Sequence, residues 1–278
     1  MGDAAGALRE AALLLTEISD SARLDAELLM AHGLQMERSE LLLKLPELNA
    51  PADFPALVER RRQSEPIAHI IGKKEFWGLD FQVTPDVLIP RPDSELLIEE
   101  AARIFASAHP QQIVDLGTGS GALVLAALHE FPQARGLGMD ASAAALQIAH
   151  NNADALGLAD RASFLLLDWT QPDWTNSLGS GFDLILANPP YVATGARLSA
   201  DVADFEPHQA LFTGEAGLDD YRIIIPALEK LLSPTGTALL EIGFDLANPV
   251  SEIATNIGYH VELKQDLGGN DRLLILRR

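Results

Sequence analysis

The segment Asn188-Pro189-Pro190-Tyr191 places a polar amide in a stiff turn directly after the apolar run Phe182–Ala187. Proline has no N–H to donate, so two consecutive prolines end the predicted strand. In an open α/β sheet, ligands bind at the carboxyl ends of the strands. The side-chain oxygen of Asn188 and the carbonyl of Pro189 can accept both N–H bonds of a planar NH2 group and orient its nitrogen, so we predict that both are catalytic. Pro190 would give rigidity and Tyr191 would pack on the flat target. The alternative is that this segment is an ordinary turn at a strand end, without a functional role.

A glycine-rich loop follows another apolar run and opens a predicted helix. Glycine lets the backbone come close to a ligand at a helix N-terminus, where unpaired N–H groups point outward. Asp115 stands at the entrance of the loop, where a carboxylate repels a pyrophosphate but suits a ligand with an ammonium and a sulfonium. This favours S-adenosylmethionine over a dinucleotide. The predicted cofactor-binding residues of this segment are Asp115, Gly117, Thr118, Gly119, Ser120 and Gly121.

Further candidate cofactor residues follow the next predicted strands. Asp140 lies close to the roughly 20-residue offset expected of an acid that accepts ribose hydroxyls. Asp168 and Trp169 would flank the adenine, with Trp169 offering a stacking or edge surface. Packing of Trp169 in the core is the alternative. Asn188 is predicted to contact the cofactor as well as the target.

The elements that must position these residues alternate between strand and helix from Gln111 onward. Such alternation predicts a doubly wound sheet with right-handed crossovers. The predicted strands are Gln112–Leu116, Arg135–Met139, Ser163–Leu167, Phe182–Ala187, Thr237–Ile242, Tyr259–Leu263 and Arg272–Leu276, and the predicted helices between them are Ala122–Glu130, Ala141–Leu156 and Tyr221–Leu232. A short link joins the last two strands, which are therefore expected to be antiparallel neighbours.

The chain ahead of this sheet divides into two parts. In residues 1–70, apolar side chains recur at helical spacing, which predicts a small helical domain for docking a substrate. Residues 71–92 predict a β-hairpin linker with its turn at Gly78, and residues 93–278 form the predicted catalytic domain. Asp93 or Ser94 is expected to cap the helix Glu95–Ala106.

The connection Val192–Gly217 is too long for a passive link between two elements. We predict that it closes over the substrate, with Glu206-Pro207 near the bound peptide. Glu241 ends a strand at the same edge of the sheet, where a structural hydrogen bond is the favoured role.

Composition narrows the class of protein. The 278 residues carry a formal net charge of −20, and the one basic cluster, Arg60-Arg61-Arg62, is expected to end a helix. A nucleic-acid-binding protein usually shows a basic face, so direct binding to nucleic acid is not expected.

The chain has no cysteine, and its seven histidines are scattered, so we expect no metal site. It shows neither a signal peptide nor a membrane span, and a cytoplasmic protein is the simplest expectation.

The residues alone leave the target of methylation open. A glutamine amide and the exocyclic amine of adenine present the same NH2 group, so an N6-adenine methyltransferase acting on DNA or RNA is one alternative. A non-catalytic methyltransferase-like binding protein is another, although it would be expected to have lost Asn188 or the glycine loop. The acidic composition favours a protein target.

Nearly the whole chain resembles the protein-glutamine N5-methyltransferases that modify class I peptide chain release factors. The motifs that carry the resemblance are Glu65–Ile70, Glu75-Phe76-Trp77, Ile89-Pro90-Arg91-Pro92-Asp93-Ser94-Glu95, Asp115–Gly121, Asn188–Tyr191, Phe205-Glu206-Pro207 with Ala210-Leu211, and Gly269-Asn270-Asp271-Arg272. The Asn-Pro-Pro-Tyr motif is shared with adenine methylases, whereas the Ile89–Glu95 segment joined to a helical domain is far more specific.

The resemblance implies a class I S-adenosylmethionine-dependent methyltransferase fold, with a Rossmann-like seven-stranded sheet whose last strand is antiparallel. It also implies that the substrate is the glutamine of a Gly-Gly-Gln loop in the release factor, that Asn188 and Pro189 hold its amide, and that the N-terminal domain helps to dock the factor. Two positions depart from the family pattern, namely Ser94, where threonine is usual, and Gly138-Met139, where β-branched residues are expected. Neither departure is expected to touch the inferred chemistry.

Overall fold

The computed structural model describes residues 3–278. These residues form two compact units. The first contains the chain up to Lys73 together with Leu198–Phe205, and the second contains Lys74–Arg197 and Glu206–Arg278. One stretch of the long connection after Tyr191 therefore belongs with the N-terminal helices rather than with the sheet.

The N-terminal part of the first unit is helical, as its sequence pattern predicts. Its helices are α1 (Ala4–Leu15), α2 (Ala22–Gly33), α3 (Arg38–Lys44), α4 (Phe54–Arg62) and α5 (Ile67–Ile71). The buried side chains of α1 recur at helical spacing, and the Asp3 carboxylate caps the helix by accepting from the Gly6 N–H at 2.6 Å. Arg60-Arg61-Arg62 forms the last turn of α4 as expected, and Arg61 pairs inside the bundle with Asp25 at 2.9 Å.

A β-hairpin follows, as predicted, formed by β1 (Lys73–Phe76) and β2 (Leu79–Gln82). Its two turn residues, Trp77 and Gly78, both have positive φ angles, of 54° and 72°. This is the pattern of a type I′ turn, whose twist matches that of the strands. Glu75 and Glu95 side chains accept the backbone N–H groups of Gly78 and Trp77 and so hold the turn.

The second unit is built on a seven-stranded sheet with the order β5-β4-β3-β6-β7-β9-β8. Its elements are α6 (Glu95–Ile104), β3 (Gln112–Leu116), α7 (Ala122–Glu130), β4 (Arg135–Asp140), α8 (Ala143–Ala155), β5 (Ala162–Leu166), α9 (Thr175–Leu178), β6 (Phe182–Ala187), α11 (Asp219–Leu231), β7 (Leu232–Glu241), α12 (Ala247–Asn256), β8 (His260–Gln265) and β9 (Asp271–Arg277), while the short helix α10 (Ala200–Ala203) lies in the first unit.

The sheet confirms the predicted topology. Strands β3 to β7 pair in parallel, and β9 runs antiparallel to both of its neighbours, β7 and β8. All seven predicted strands are present, with ends shifted by a few residues in several of them. Helix α12 is the main element that sequence reasoning missed, because Asn248-Pro249 is typical of a turn. Proline is tolerated there because it lies in the first turn, where its missing N–H has no intrahelical partner to lose.

The sheet is covered on both faces, as a doubly wound fold requires. Alternate residues of β6 enter opposite cores: Leu184 and Leu186 pack on one side, and Ile185 and Ala187 pack on the other. Helices α6, α7 and α8 contribute to the first core, and α9, α11 and α12 contribute to the second. The central strands β3 and β6 are buried on both faces, and most of their residues are apolar.

The C-terminus of α7 is held by Arg161. Its guanidinium donates to the carbonyl oxygens of Leu128 at 2.7 Å, Phe131 at 3.2 Å and Ala134 at 3.0 Å. Carbonyl groups at a helix C-terminus have no intrahelical partner and carry partial negative charge, so a cation stabilises them. The glycine loop enters α7 at its other end, so Arg161 helps to fix the helix that supports the loop.

We expect Arg161→Ala to lower the free energy of unfolding by about 2 kcal/mol, because three hydrogen bonds from a charged donor are lost together. Urea unfolding followed by circular dichroism measures the change. Arg135→Ala is the matched control, since the exposed Arg135 makes one long bond, to the Asp160 carbonyl at 3.5 Å, and should change stability by under about 0.5 kcal/mol. Equal effects of the two variants would contradict this role of Arg161.

Candidate functional site

The parallel register brings the ends of four strands side by side. Leu116 of β3 pairs with Met139 and with Ala187, and Ala187 pairs in turn with Leu240. The next residues along these strands are Gly117, Asp140, Asn188 and Glu241. The sheet therefore gathers the glycine loop, the predicted ribose-binding acid and the Asn-Pro-Pro-Tyr segment at one edge, as the sequence predicts.

The glycine loop passes closely under an indole ring. Gly117 has a φ of 77°, and a Cβ at this position would lie 3.0 Å from the Trp169 ring. Gly121, with a φ of 83°, is equally restricted, because a Cβ there would lie 3.3 Å from the Cβ of Ala149. At Gly117 and Gly121, a side chain is therefore disfavoured by the backbone conformation and by lack of space.

Asp140 organises the loop through its carboxylate. One oxygen accepts from the Gly119 N–H at 2.8 Å, and the other accepts from the Ser142 N–H at 2.9 Å. Burial raises the pKa of Asp140, and the backbone N–H groups partly offset that effect. Each carboxylate oxygen has a further lone pair to offer to a ligand.

Asp115 lies beneath the loop rather than on its surface. It is fully buried, and its Oδ2 accepts from the Thr118 hydroxyl at 2.6 Å. Within residues 3–278, its Oδ1 has no partner in full hydrogen-bonding geometry. Burial raises the pKa of Asp115 to about 7, although the Thr118 hydroxyl lowers it. This carboxyl group is therefore balanced between its two protonation states near neutral pH.

Asp168 and Trp169 follow β5 at the same edge. The Trp169 Nε1–H donates to Asp220 at the start of α11 at 2.6 Å, which fixes the ring over Gly117. Asp168 accepts from the backbone and the hydroxyl of Thr170, and these bonds lower its pKa. Trp169 therefore has a polar anchor in addition to its core contacts.

The Asn188-Pro189-Pro190-Tyr191 segment is anchored by polar contacts on both sides. The Asn188 Nδ2–H donates to the Ser94 hydroxyl at 3.3 Å, and the Tyr191 hydroxyl donates to Glu241 at 3.4 Å. Pro189 is buried, whereas Asn188 and Pro190 are half-buried. The predicted strand end at Asn188 is confirmed, since β6 ends at Ala187.

A cavity of about 790 Å³, including its opening to solvent, lies over this edge of the sheet. Seven predicted site residues line it. Six are predicted cofactor-binding residues, namely Gly117, Gly119, Asp140, Asp168, Trp169 and Asn188, and the seventh is Pro190 of the predicted substrate site. The other predicted site residues, all within the described part of the chain, are not in the cavity lining: Asp115, Thr118, Ser120, Gly121, Pro189 and Tyr191.

The cavity lining also contains residues that sequence reasoning did not assign. They lie on two loops or beside Asp140: Asp86, Val87, Leu88, Ala141, Ser142, Ala145, Leu167, Gln209 and Ala210. The Pro85-Asp86 turn and the long connection after Tyr191 were available as signals, but loop residues follow no periodic pattern that predicts where they fold back.

Comparison with known proteins identifies the family. Residues 6–72 match the model of the PrmC N-terminal domain, and residues 92–205 match the methyltransferase small domain. A relative from Cereibacter sphaeroides named release factor glutamine methyltransferase is 41% identical, covering 99% of this chain and 98% of its own length. Relatives of the same name from Nitratidesulfovibrio vulgaris and Bradyrhizobium diazoefficiens are 40% and 37% identical over 93% and 96% of this chain, and 89% and 92% of their own lengths.

The chain belongs to the release factor glutamine methyltransferases. Solved structures agree on the fold. A methyltransferase from Pyrococcus furiosus matches with a TM-score of 0.53 at 18% identity, covering 81% of this chain and 98% of that one. A ribosomal protein L11 methylase from Lactobacillus delbrueckii subsp. bulgaricus matches with a TM-score of 0.50 at 21% identity, covering 70% and 83%. The predicted class I methyltransferase fold is therefore confirmed.

Release factor glutamine methyltransferases use S-adenosylmethionine, and the cavity fits such a ligand. Asp140 keeps lone pairs for hydroxyl groups, Trp169 offers an aromatic surface, and the loop at Gly117 leaves room for close approach. Among the described residues that line the cavity, three are Asp and none is Lys or Arg, so the site favours a cation over a polyphosphate.

The two departures from the family pattern lie beside predicted site residues, and the expectation that they do not touch the inferred chemistry stays a prediction. Ser94 contacts Asn188 directly. Gly138 makes room for the Thr118 side chain, because a Cβ there would lie 2.7 Å from the Thr118 hydroxyl. Ser94 also does not cap its helix as predicted: it occupies the N-cap position of α6, but its hydroxyl donates to Glu241.

The long connection folds back on the Ile89–Glu95 segment through Glu206. The Glu206 carboxylate is buried and accepts from the Ile89 N–H at 3.0 Å and from the Arg91 guanidinium at 2.5 Å. Pro207 follows it directly and lines the cavity. The prediction that Glu206-Pro207 lies near the bound peptide is not tested, but Glu206 is committed to an internal clamp.

Within residues 3–278, no cluster of three or more His, Asp or Glu side chains is placed to hold a metal ion. None of the helices in the same range is both long and apolar enough to cross a membrane.

We expect Asp115→Asn to change how stability depends on pH. Between its ordinary pKa of 3.8 and the native value of about 7, Asp115 is protonated in the folded state and ionised in the unfolded state. The free energy of unfolding of the wild type therefore falls as pH rises through this range, by up to about 1.4 kcal/mol per pH unit from this group, and levels off above it. The variant lacks this contribution, so its stability relative to wild type should rise with pH until about pH 7.

Urea unfolding from about pH 5 to about pH 9 measures this difference. Asp168→Asn is the control, because the lowered pKa of Asp168 confines its titration to more acid solution and leaves the difference from wild type flat over this range. A difference between Asp115→Asn and wild type that does not vary with pH would contradict the raised pKa.

Proposed function

We propose that this protein transfers a methyl group from S-adenosylmethionine to the side-chain amide nitrogen of the glutamine in the Gly-Gly-Gln loop of class I peptide chain release factors. The proposal includes a cytoplasmic location and no direct binding to nucleic acid. Its main support is the position of the Asn188 amide, which lines the same cavity as Asp140 and the glycine loop. The relatives named release factor glutamine methyltransferase support the choice of substrate.

Asp140, Trp169, Asp168 and the backbone of Gly117 and Gly119 would hold the cofactor, which supplies an electrophilic methyl group when bound. Asp140 accepts from two backbone N–H groups and would use its remaining lone pairs for two ribose hydroxyls. Asp115 and Thr118 support the loop from beneath. The Asp115 carboxylate would add negative potential below the cationic part of the ligand.

An amide nitrogen is a weak nucleophile because its lone pair is delocalised into the carbonyl group. The Asn188 side-chain oxygen and the Pro189 carbonyl would accept its two N–H bonds, direct the nitrogen and stabilise the positive charge that develops on it. No strong base is needed, since the nitrogen becomes acidic once it carries the new methyl group. The role of these residues is therefore positioning and electrostatic stabilisation.

The lining of the cavity favours a protein target over DNA or RNA. An enzyme that modifies a nucleobase of DNA or RNA must also hold the phosphates of the nucleic acid, usually with Lys or Arg. The described residues of the lining include neither of these. The alternative of a binding protein without catalytic activity is not favoured either, because the glycine loop and Asn188 are intact.

Transfer of labelled methyl groups tests the proposed substrate. We expect S-adenosylmethionine with a labelled methyl group to label a release factor but not its loop variant with Gln→Ala. An adenine-containing oligonucleotide is the competing acceptor. Label in the oligonucleotide and none in the release factor would overturn the proposal.

Two substitutions test the separate roles of the amide and the acid. Asn188→Ala should lower the rate of transfer by about 100-fold or more while the cofactor affinity stays within a few fold, because one acceptor for the target is lost. Asp140→Ala should weaken cofactor binding by about 10-fold or more, since hydrogen bonds to a charged group are lost. Calorimetry gives the affinities, and each variant serves as the control for the other. Turnover of Asn188→Ala comparable to wild type would contradict the role of the amide, and unchanged affinity in Asp140→Ala would contradict the ribose contact.

A further inference from the structure

Glu241 holds two parts of the active-site edge with one carboxylate. It is the last residue of β7, and 1% of its surface is exposed. Its Oε2 accepts from the Ser94 hydroxyl at 2.5 Å, and its Oε1 accepts from the Tyr191 hydroxyl at 3.4 Å. Both oxygens of this buried acid are thus committed to residues that flank Asn188.

The direction of these hydrogen bonds follows from the number of protons available. An ionised carboxylate only accepts, so Ser94 must give its single hydroxyl proton to Glu241. The Ser94 oxygen then has only lone pairs left for Asn188, and it can bind the NH2 end of the amide but not the oxygen. The Asn188 Nδ2–H does face Ser94, at 3.3 Å.

We propose that Ser94 and Glu241 are positioning residues that fix the orientation of the Asn188 side-chain amide, so that its oxygen and not its nitrogen faces the target. This proposal rests on the proposed role of Asn188 as an acceptor for the glutamine NH2. An asparagine side chain has nearly the same shape in its two orientations, so packing alone cannot select one of them. In the wrong orientation, Asn188 would present donors to a group that is itself a donor.

The protonation state of Glu241 also affects the orientation of the Asn188 amide. Besides Ser94, four groups act on Glu241. They are the hydroxyl of Tyr191, the hydroxyl of Tyr221, which donates to the Glu241 backbone carbonyl at 2.7 Å, the positive charge of Arg272 and the negative charge of Asp93. Burial raises the pKa of Glu241 to about 7, while Ser94 and Arg272 lower it. A protonated Glu241 can donate to Ser94, which frees the Ser94 proton for the Asn188 oxygen and permits the reversed amide.

The first test compares two substitutions at one position. Ser94→Ala removes the hydroxyl, and we expect kcat to fall by about 10- to 100-fold with little change in cofactor affinity, because the amide is no longer oriented. Ser94→Thr keeps the hydroxyl and should retain kcat within a few fold. Thermal unfolding of each variant with bound S-adenosylmethionine checks that both are folded. Wild-type kcat in Ser94→Ala would overturn the proposal.

The second test measures a property that loss of packing would not change. A release factor whose loop carries Gln→Glu presents acceptors where the natural loop presents NH2 donors. Wild-type enzyme should bind the release factor with the glutamine loop more tightly than the release factor with the glutamate loop. The Ser94→Ala enzyme should lower the ratio of the Kd for the glutamate loop to the Kd for the glutamine loop by about 10-fold, because a reversed Asn188 can donate to the carboxylate. The Glu241→Gln enzyme should also lower this ratio, because the glutamine side chain can donate to Ser94.

A fall in kcat with an unchanged ratio of Kd values in both variants would overturn the proposal and leave Ser94 with a packing role. The Asn188→Ala variant separates this result from failure of the proposed function. If Asn188→Ala keeps full activity, then the role of the amide fails first. If Asn188→Ala is inactive and the Ser94 variants show the predicted ratio, both proposals are supported.

Discussion

Five parallel strands must end in register for this site to exist. The pairing of Leu116 with Met139 and Ala187 means that the three residues after them, on three strands, arrive together without any further interaction. The same ladder continues through Ala187 and Leu240, which delivers Glu241 to this edge. A slip of one residue in a single strand would turn its terminal side chain to the other face of the sheet. The apolar cores on both faces oppose such a slip, so core packing indirectly fixes the geometry of the site.

Much of this arrangement could be predicted from the sequence because strand ends carry strong local signals. The Asp115–Gly121 loop, Asp140 and Asn188 each follow an apolar run, and the structure places them at the carboxyl ends of adjacent strands. The depth of each residue could not be predicted, because it depends on how the loop folds under its neighbours. Asp115 is the clearest example, since it lies beneath the loop and outside the cavity lining.

Interactions between distant segments were also beyond prediction. Ser94 ends a short 3-10 helix that precedes α6 (Pro92–Ser94), and Asn188 and Glu241 lie at the ends of two strands. No periodic pattern relates these three residues. Ser94 is a typical helix cap in sequence, but its hydroxyl is used elsewhere. Local propensity fails here because the Ser94 hydroxyl donates to a buried carboxylate oxygen, which would lose this hydrogen bond if the hydroxyl capped the helix instead.

The placement of Leu198–Phe205 in the unit of the N-terminal helices has a consequence for how the protein is made. Domains generally fold as units while the chain leaves the ribosome, N-terminal part first. The five N-terminal helices emerge early, yet the segment that completes their unit is synthesised only after β6. The first unit therefore reaches its final form late in synthesis, and excising the N-terminal helices as an independent module would leave out part of the unit to which they belong.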